Sequence, residues 1–381
     1  MASSLRKPDA GARERQDHVR EHVSSELLQE RNAPQQQNAG VWLARVGFAW
    51  AFCLDVHDLE QAQQAKVGAM IDEAAVVEKF QELVRGEDRS LIDFLPPFEE
   101  SFLIPGTSTL VRTHFIAHDA NGNPAVEQLA GAMADAAVDF CIPRTKIERA
   151  LTEFARTRST AALMGLNEQA RDLFVKSAGS GEGGELLLFL LLERVLQRPQ
   201  LMSKMALKTS TEMHVHGSDG IHANLADDGV LDIYWGESKL YKSSSAAFKD
   251  CFESISPYLR ADGAQSRKRD LLLVRDHLNV SQIELAAHLL EYFDDSNPKT
   301  LKVRWNGVCL VGFDHANYPD LAALDEDQHL KLSNAVGRWH DSVGNRLKEF
   351  EIVGVNIDLF CIPMPDVAAL RTRVLERMGA L

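Results

Sequence analysis

The alternation of apolar and polar residues is clearest in two neighbouring runs in the second half of the chain. These runs are GIHANLAD, residues 220–227, and VLDIYWGESKLY, residues 230–241, and Asp228-Gly229 stands between them. An Asp-Gly pair flanked by two such runs is typical of the tight turn of a β-hairpin. The pattern therefore predicts two antiparallel strands at this place.

Helical patterns surround the predicted hairpin. GELLLFLLLERVLQR, residues 184–198, has the length and composition of a mostly buried helix, and Pro199 follows it. Further helices are predicted at residues 125–158 with a break or a helix start at Pro143, and at 245–259, 267–294, 326–350 and from Asp366 to the end. Further strands are predicted at residues 109–117, 202–210, 301–313 and 352–363. The mixture predicts an α/β fold.

The same patterns divide the chain into three regions. Residues 1–38 are rich in Arg, Glu, Gln, Asp and Ser with few apolar positions, which predicts a flexible tail. Residues 39–145 are assigned to an N-terminal accessory α+β region. Residues 146–381, where the patterns sharpen, are assigned to the main α/β domain.

Composition narrows the class of protein. The chain has 381 residues and five scattered cysteines without a Cys-x-x-Cys pair, so neither a disulfide framework nor a zinc site is indicated and a cytoplasmic location is expected. No secretory signal or membrane-spanning run is expected, because no uncharged apolar run approaches the required length. The net charge of −14 argues against a free-standing nucleic-acid binder, although a local basic face remains compatible with it.

An acidic and basic cluster is predicted at the open end of the hairpin. Glu237 and Lys239 stand two residues apart in the second strand, so their side chains project from one face. Asp219 begins the first strand, and the predicted turn brings it roughly level with Glu237. A third carboxylate is available from Glu182 or Glu185 at the start of the preceding helix.

Such a cluster suits metal-assisted chemistry on a phosphate. Carboxylates that lie close together repel one another, so they bind a cation or take up protons. Oxygen ligands favour Mg²⁺ or Mn²⁺, and a nearby lysine can offset negative charge on a phosphate. A helix carboxylate, an Asp and a Glu-x-Lys pair on consecutive elements is an arrangement that phosphodiester cleavage uses. A Glu-x-Lys pair by itself is more often a solvated salt bridge.

Five segments in this order resemble the HamA family: GSGEGGELLLFLLLERVL, MALKTS, HGSDGIHA, YWGESKLY and IDLFCIPMPDVAALR. The resemblance covers residues 140–381. HamA is the nuclease-like subunit of the Hachiman antiphage defence system. The resemblance implies a restriction-endonuclease-like PD-(D/E)xK core, in which helices flank a mixed sheet. It also implies a Mg²⁺-dependent DNA nuclease that is held in check by the superfamily 2 helicase HamB and degrades DNA on activation.

The resemblance also assigns site residues position by position. The helix carboxylate of the family falls on Glu185, with Glu182 as the alternative, and the metal-binding aspartate falls on Asp219. The Glu-x-Lys pair falls on Glu237 and Lys239. The implied metal ligands are therefore Asp219, Glu237 and Glu185, with Mg²⁺ or Mn²⁺ as the cofactor.

Other polar residues near these positions can be interpreted either as ordinary structural or solvated residues or as functional ones. The His-x-His of His214 and His216 matches metal-ligand spacing, but His216 and His222 are expected more often at the site edge or on DNA. Lys204 and Lys208 share a face of the predicted strand 202–210, where they would contact phosphate or simply remain solvated.

A short basic run and a tryptophan complete the candidate residues. Arg267-Lys268-Arg269 is either a contact to the DNA backbone or, more commonly, the solvated start of a helix. Trp235, beside the candidate site, is expected in the core.

Two other classes of function stay open on the sequence. One is a non-catalytic DNA-binding or regulatory subunit that keeps the fold, although the presence of Asp219, Glu237 and Lys239 argues against it. The other is a protein-interaction module that restrains the helicase, which the charge of −14 favours. The expected partners are thus the helicase and DNA, with no membrane.

Overall fold

The computed structural model describes residues 73–86, 89–176, 181–207 and 217–379. The predicted tail, residues 39–72 of the predicted accessory region, Lys208, His214 and His216 lie outside the described residues. The described residues belong to one compact unit.

A six-stranded mixed sheet forms the centre of the protein, in the spatial order β1-β2-β6-β5-β4-β3. Its strands are β1 (Phe102–Leu103), β2 (Thr109–Thr113), β3 (Gly220–Leu225), β4 (Leu231–Tyr241), β5 (Val303–Asp314) and β6 (Ile357–Met364). The four inner strands are parallel to one another, and each outer strand is antiparallel to its neighbour. The long connections needed between parallel strands are supplied by helices.

Helices flank the sheet. They are α1 (Glu73–Gln81), α2 (Arg89–Phe94), α3 (Val126–Asp135), α4 (Ala137–Cys141), α5 (Arg144–Thr157), α6 (Ala161–Lys176), α7 (Glu182–Leu190), α8 (Lys204–Leu207), α9 (Ser244–Leu259), α10 (Ala264–Asp276), α11 (Ile283–Leu290), α12 (Glu326–Glu349) and α13 (Val367–Arg377). Helix α7 continues as a π-helical turn over Leu191–Val195, and short 3₁₀ turns occupy Glu291–Phe293, Pro298–Lys302 and Leu321–Ala323.

The two faces of the sheet pack into two separate cores. In β4, Ile233 and Trp235 face the core that contains α9, whereas Tyr234 and Leu240 face the core that contains α7. Strands covered on both faces are apolar at successive positions. This explains why β4 is buried almost throughout and why any charged residue within it stands out.

The predicted hairpin is confirmed. Strand β3 pairs antiparallel with β4, and its turn contains Gly229 with a φ of 74°, in the left-handed region that glycine adopts without strain. The Asp228 carboxylate accepts a hydrogen bond of 3.0 Å from the backbone N–H of Val230 within the turn. The turn residues and the apolar pattern of the strands therefore both correspond to the observed hairpin.

The strand predicted at residues 202–210 is wrong. Residues Lys204–Leu207 form the short helix α8, and residues 208–210 lie outside the described part of the chain. Because Leu201 to Met205 are all buried, the polar and apolar positions of this segment follow no strand period.

Most of the other predicted elements are found close to their predicted bounds, but the helical pattern at 267–294 is divided into α10 and α11 by the non-helical residues 277–282. The long helix over 184–198 corresponds to α7 with its π-helical turn, and Pro143 precedes the first residue of α5. Strands β2, β5 and β6 begin or end a few residues from the predicted limits. Residues assigned by sequence to the accessory region contribute β1 and β2 to the central sheet and α3 to the core beneath it.

No helix among the described residues is long and apolar enough to cross a bilayer. The cysteines of the described part, Cys141, Cys251, Cys309 and Cys361, are buried and form no disulfide with one another.

Candidate functional site

The open end of the hairpin brings Asp219 beside Glu237, as the sequence predicts. Gly220 pairs with Gly236 across the two strands, and the backbone N–H of Asp219 donates a hydrogen bond of 2.8 Å to the Gly236 carbonyl. The next pair along the ladder is therefore Asp219 with Glu237.

Glu237 and Lys239 project from the same face of β4 and form an ion pair. The Lys239 Nζ lies 2.5 Å from the Glu237 Oε1, and the exposed fractions of the two side chains are 20% and 7%. This confirms the predicted common face. Because this ion pair is short and largely buried, its formation costs desolvation free energy that a solvated surface ion pair does not cost.

Asp219 is oriented by the residue that stands between Glu237 and Lys239. Its Oδ2 accepts hydrogen bonds of 2.8 Å from both the backbone N–H and the hydroxyl of Ser238. Ser238 lies on the opposite face of β4, where α7 approaches so closely that a Cβ on Gly184 would lie 3.0 Å from the Ser238 Oγ. This role of Ser238 was not predicted from the sequence. The sequence signal for it is a small polar residue within an apolar strand.

A second lysine approaches Asp219 from the other side. The Lys204 Nζ donates a hydrogen bond of 3.0 Å to the Ser218 carbonyl and lies 4.0 Å from the Asp219 Oδ1. The predicted strand face shared with Lys208 does not exist, because Lys204 is on α8. Lys204 is instead buried beside the carboxylate pair.

Burial and charge together shift the ionisation of the pair. Burial, reinforced by the neighbouring Asp219 carboxylate, raises the pKa of Glu237 to about 7 in spite of Lys239 and Lys204. Burial by itself lowers the pKa of Lys239, but the attraction of Glu237 outweighs burial and the net pKa is raised. Burial and the Asp219 carboxylate therefore disfavour the charged form of Glu237, and a bound cation would favour it.

The floor of the site is a rigid core. Trp235 is fully buried and stacks on Tyr258 of α9 with ring centroids 5.0 Å apart, which confirms the predicted core position. The Cys251 thiol, also on α9, lies 3.6 Å from the Glu237 carbonyl. Helix α9 thus holds the strand that carries the Glu-x-Lys pair.

The predicted helix carboxylates are both buried in the first turn of α7. Their helix packs on the face of β4 that carries Ser238 and Leu240, opposite to Glu237 and Lys239. Across the described ranges, no three His, Cys, Asp or Glu side chains converge so as to hold a metal ion. Glu185, with Glu182 as its alternative, therefore remains a sequence prediction.

The prediction for His222 is wrong, and the one for the basic run is wrong at Arg267, whereas Lys268 and Arg269 are 69% and 54% exposed, as expected of a solvated helix start. His222 is fully buried, its Nδ1 donates to the Arg198 carbonyl over 2.7 Å, and burial lowers its pKa to about 4. It therefore lies neither at the site edge nor on a DNA surface. Arg267 is also buried and donates to the carbonyls of Tyr258 and Arg260 over 2.8 and 2.9 Å, so it joins α10 to the end of α9.

A family model described as HamA matches residues 93–378, which is most of the chain. The chain belongs to the HamA family. Membership associates it with the Hachiman antiphage defence system and implies a partner from that system. The match begins well before residue 140, where the resemblance stated from the sequence begins, and it includes β1 and β2 of the sheet. No curated protein has significant similarity to the chain.

The raised pKa of Glu237 predicts how the stability of this HamA-family chain depends on pH. Its pKa rises from 4.5 to about 7 on folding, so between these values the folded chain keeps a proton that the unfolded chain loses. In chelator, the free energy of unfolding should therefore fall as the pH rises through this window. Urea unfolding at several pH values measures this, and Glu237→Gln should flatten the profile. Parallel profiles for the two proteins would contradict the assignment.

Proposed function

We propose that this protein is a Mg²⁺-dependent DNA nuclease with a PD-(D/E)xK core, and that it is the effector subunit of a Hachiman complex. The observation that carries the proposal is the meeting of Asp219, Glu237 and Lys239 at the open end of one hairpin. The reaction would be hydrolysis of a phosphodiester bond, in which water attacks phosphorus and the sugar oxygen leaves.

The side chains fit a divalent cation with hard oxygen ligands. Asp219 and Glu237 would hold it, and Mg²⁺ commonly takes only one or two protein carboxylates together with water and substrate phosphate. A bound Mg²⁺ would supply a Lewis acid that polarises the phosphate and lowers the pKa of a coordinated water. The absence of a third converging carboxylate among the described residues is therefore compatible with this cation.

Ser238 would orient the Asp219 carboxylate, and Lys239 would balance the negative charge of the substrate phosphate. Ser238 fixes one oxygen of Asp219 with two hydrogen bonds, so the carboxylate does not have to reorganise when substrate binds. Lys239 keeps 20% of its side chain exposed beside Glu237, and its ammonium would offset the negative charge of the phosphate in the transition state.

The acidic chain needs a partner to reach DNA. A net charge of −14 opposes the phosphate attraction that drives nonspecific binding. We therefore propose a stable complex with a superfamily 2 helicase of the HamB type, which would grip the DNA and restrain the nuclease until activation. A purified chain that stays unbound when mixed with its cognate helicase would contradict this part of the proposal.

The test is DNA cleavage by the reconstituted complex on linear, nicked and supercoiled DNA. We expect cleavage with Mg²⁺ or Mn²⁺ and none in excess chelator. Ca²⁺ should support little turnover, because its larger and looser coordination positions water less well. Full cleavage in chelator would remove the metal from the mechanism.

A non-catalytic subunit is the second candidate, and the closed Glu237–Lys239 ion pair favours it because each charge already has a partner. If the subunit is non-catalytic, the complex would not cleave DNA with any divalent metal ion. DNA affinity of the chain measured in chelator would then separate a DNA-binding subunit from a module that only restrains the helicase.

A further inference from the structure

The short peptide segment at Ser218, just before Asp219, is held by two buried charged side chains. The carbonyl of Ser218 accepts the hydrogen bond of 3.0 Å from the Lys204 Nζ, and the N–H of Ser218 donates a long hydrogen bond of 3.5 Å to the Asp270 Oδ2. The chain passes so close to Asp270 that a Cβ on Gly217 would lie 2.9 Å from the same oxygen. Residue 218 is thus fixed on both sides.

The two side chains come from separate elements that converge on this peptide. Lys204 is on α8 and Asp270 is on α10, and both are buried. Burial of an ammonium or a carboxylate is costly unless its partners compensate, and an apolar pair of similar volume is often no less stable. Stability alone is therefore a weak reason for a lysine at position 204.

The position of Lys204 relative to the carboxylates supplies a better reason. Its Nζ is 4.0 Å from the Asp219 Oδ1, while the Asp219 Oδ2 is bonded to Ser238. Asp219 is thus held between a lysine on one oxygen and two donors on the other. Lys239 makes no equivalent contact with Asp219, since its short bond is to Glu237.

We propose that Lys204 is a positioning residue of the site. Through the Ser218 carbonyl it fixes the peptide that precedes Asp219, and its charge holds the Asp219 carboxylate against Ser238. Asp270 fixes the N–H of the same residue, Ser218, which belongs to the preceding peptide group. The role in catalysis rests on the proposed nuclease function, whereas the role in positioning Asp219 does not.

The first test measures positioning without metal or DNA, by hydrogen exchange of the Ser238 amide, which donates to Asp219. In Lys204→Met, exchange at Ser238 should be about tenfold faster, while residues 357–364 of β6 stay protected. Lys331→Met is the matched control, because this lysine is 72% exposed on α12 and pairs with Asp327, far from Asp219 in the chain. Unchanged exchange at Ser238 in folded Lys204→Met would overturn the proposal.

The second test is the Mg²⁺ dependence of cleavage by the reconstituted complex. Lys204→Met should lower kcat by about 10²-fold, because a carboxylate displaced by an ångström loses productive geometry. The Mg²⁺ concentration for half-maximal rate should stay equal or fall, because a nearby positive charge is gone. A variant that had only lost stability would not combine a lower kcat with an unchanged or lower Mg²⁺ requirement.

The outcomes separate the two proposals. If the wild-type complex cleaves DNA and Lys204→Met cleaves it equally fast, the positioning proposal fails and the nuclease proposal stands. If the wild-type complex does not cleave DNA, the nuclease proposal fails, and exchange at Ser238 still decides the role of Lys204.

A second pair of variants covers the case in which Lys204→Met does not fold. Asp270→Asn keeps an oxygen that accepts the Ser218 N–H, whereas Asp270→Ala removes it. Exchange at Ser238 should be like the wild type in the first and faster in the second. If the Ser238 amide of a folded Asp270→Ala protein exchanged at the wild-type rate, this would contradict the claim that Asp270 helps to fix Ser218.

Discussion

Replacement of Glu237 by Gln is expected to lower the rate of DNA cleavage by at least about 10³-fold, and Lys239→Met should cost nearly as much. The two side chains share a hydrogen bond of 2.5 Å, so each is misplaced when the other is removed. Groups that act as one unit show non-additive losses, and the double variant should therefore be little worse than either single one. Single-turnover cleavage by the helicase complex measures this.

Stability gives an independent check on the same residues. Removal of one of two mutually repelling carboxylates relieves repulsion in the metal-free chain, so Glu237→Gln should melt at or above the wild-type temperature in chelator. It should also lose any stabilisation by Mg²⁺. Glu349→Gln, on the exposed surface of α12, is the control and should leave cleavage unchanged. Wild-type rates in a folded Glu237→Gln protein would exclude this site.

Replacement of Glu193 by Ala is expected to lower the free energy of unfolding by about 3–5 kcal/mol. Glu193 lies in the π-helical turn after α7, is 1% exposed, and accepts hydrogen bonds of 2.9 Å from the Arg85 side chain, the Arg85 N–H and the Gln200 N–H. Arg144 also approaches it to 3.4 Å, and burial together with Arg85 lowers the pKa of Arg144 to about 10. Without Glu193, two buried guanidiniums would face each other uncompensated.

Urea unfolding measures this loss, and an exposed glutamate provides the comparison. Glu153 pairs with Arg156 at 3.5 Å on the surface of α5, so Glu153→Ala should cost no more than about 1 kcal/mol. Equal small losses in both variants would mean that solvent reaches the network around Glu193.

The hairpin and its Glu-x-Lys pair were predictable because local rules determine them. An Asp-Gly turn fixes the register of the two strands, and the two-residue period then assigns each side chain to a face. Asp219 opposite Glu237, and Lys239 beside it, follow from these two facts.

The residues that orient Asp219 could not be predicted in the same way. Ser238 and Lys204 approach Asp219 itself and Asp270 holds the neighbouring Ser218, and these contacts from three elements depend on how the elements pack. The segment around Lys204 is buried on all sides, so its pattern carries no period that distinguishes a helix from a strand. His222 was misplaced for a related reason, because a polar residue near a site by sequence can point into the core.

The parallel pairing of β2 with β6 has a consequence for the order of folding. Arg112 of β2 and Asp358 of β6 form an ion pair although they are 246 positions apart in the chain. Contacts between such distant segments form slowly, because the entropy of closing the intervening loop is lost before the contact stabilises anything. During synthesis, β2 leaves the ribosome long before its partner exists. One edge of β2 can pair with β1, but the other edge stays unpaired until β6 emerges, and a chaperone that shields it in that interval would raise the yield of folded protein.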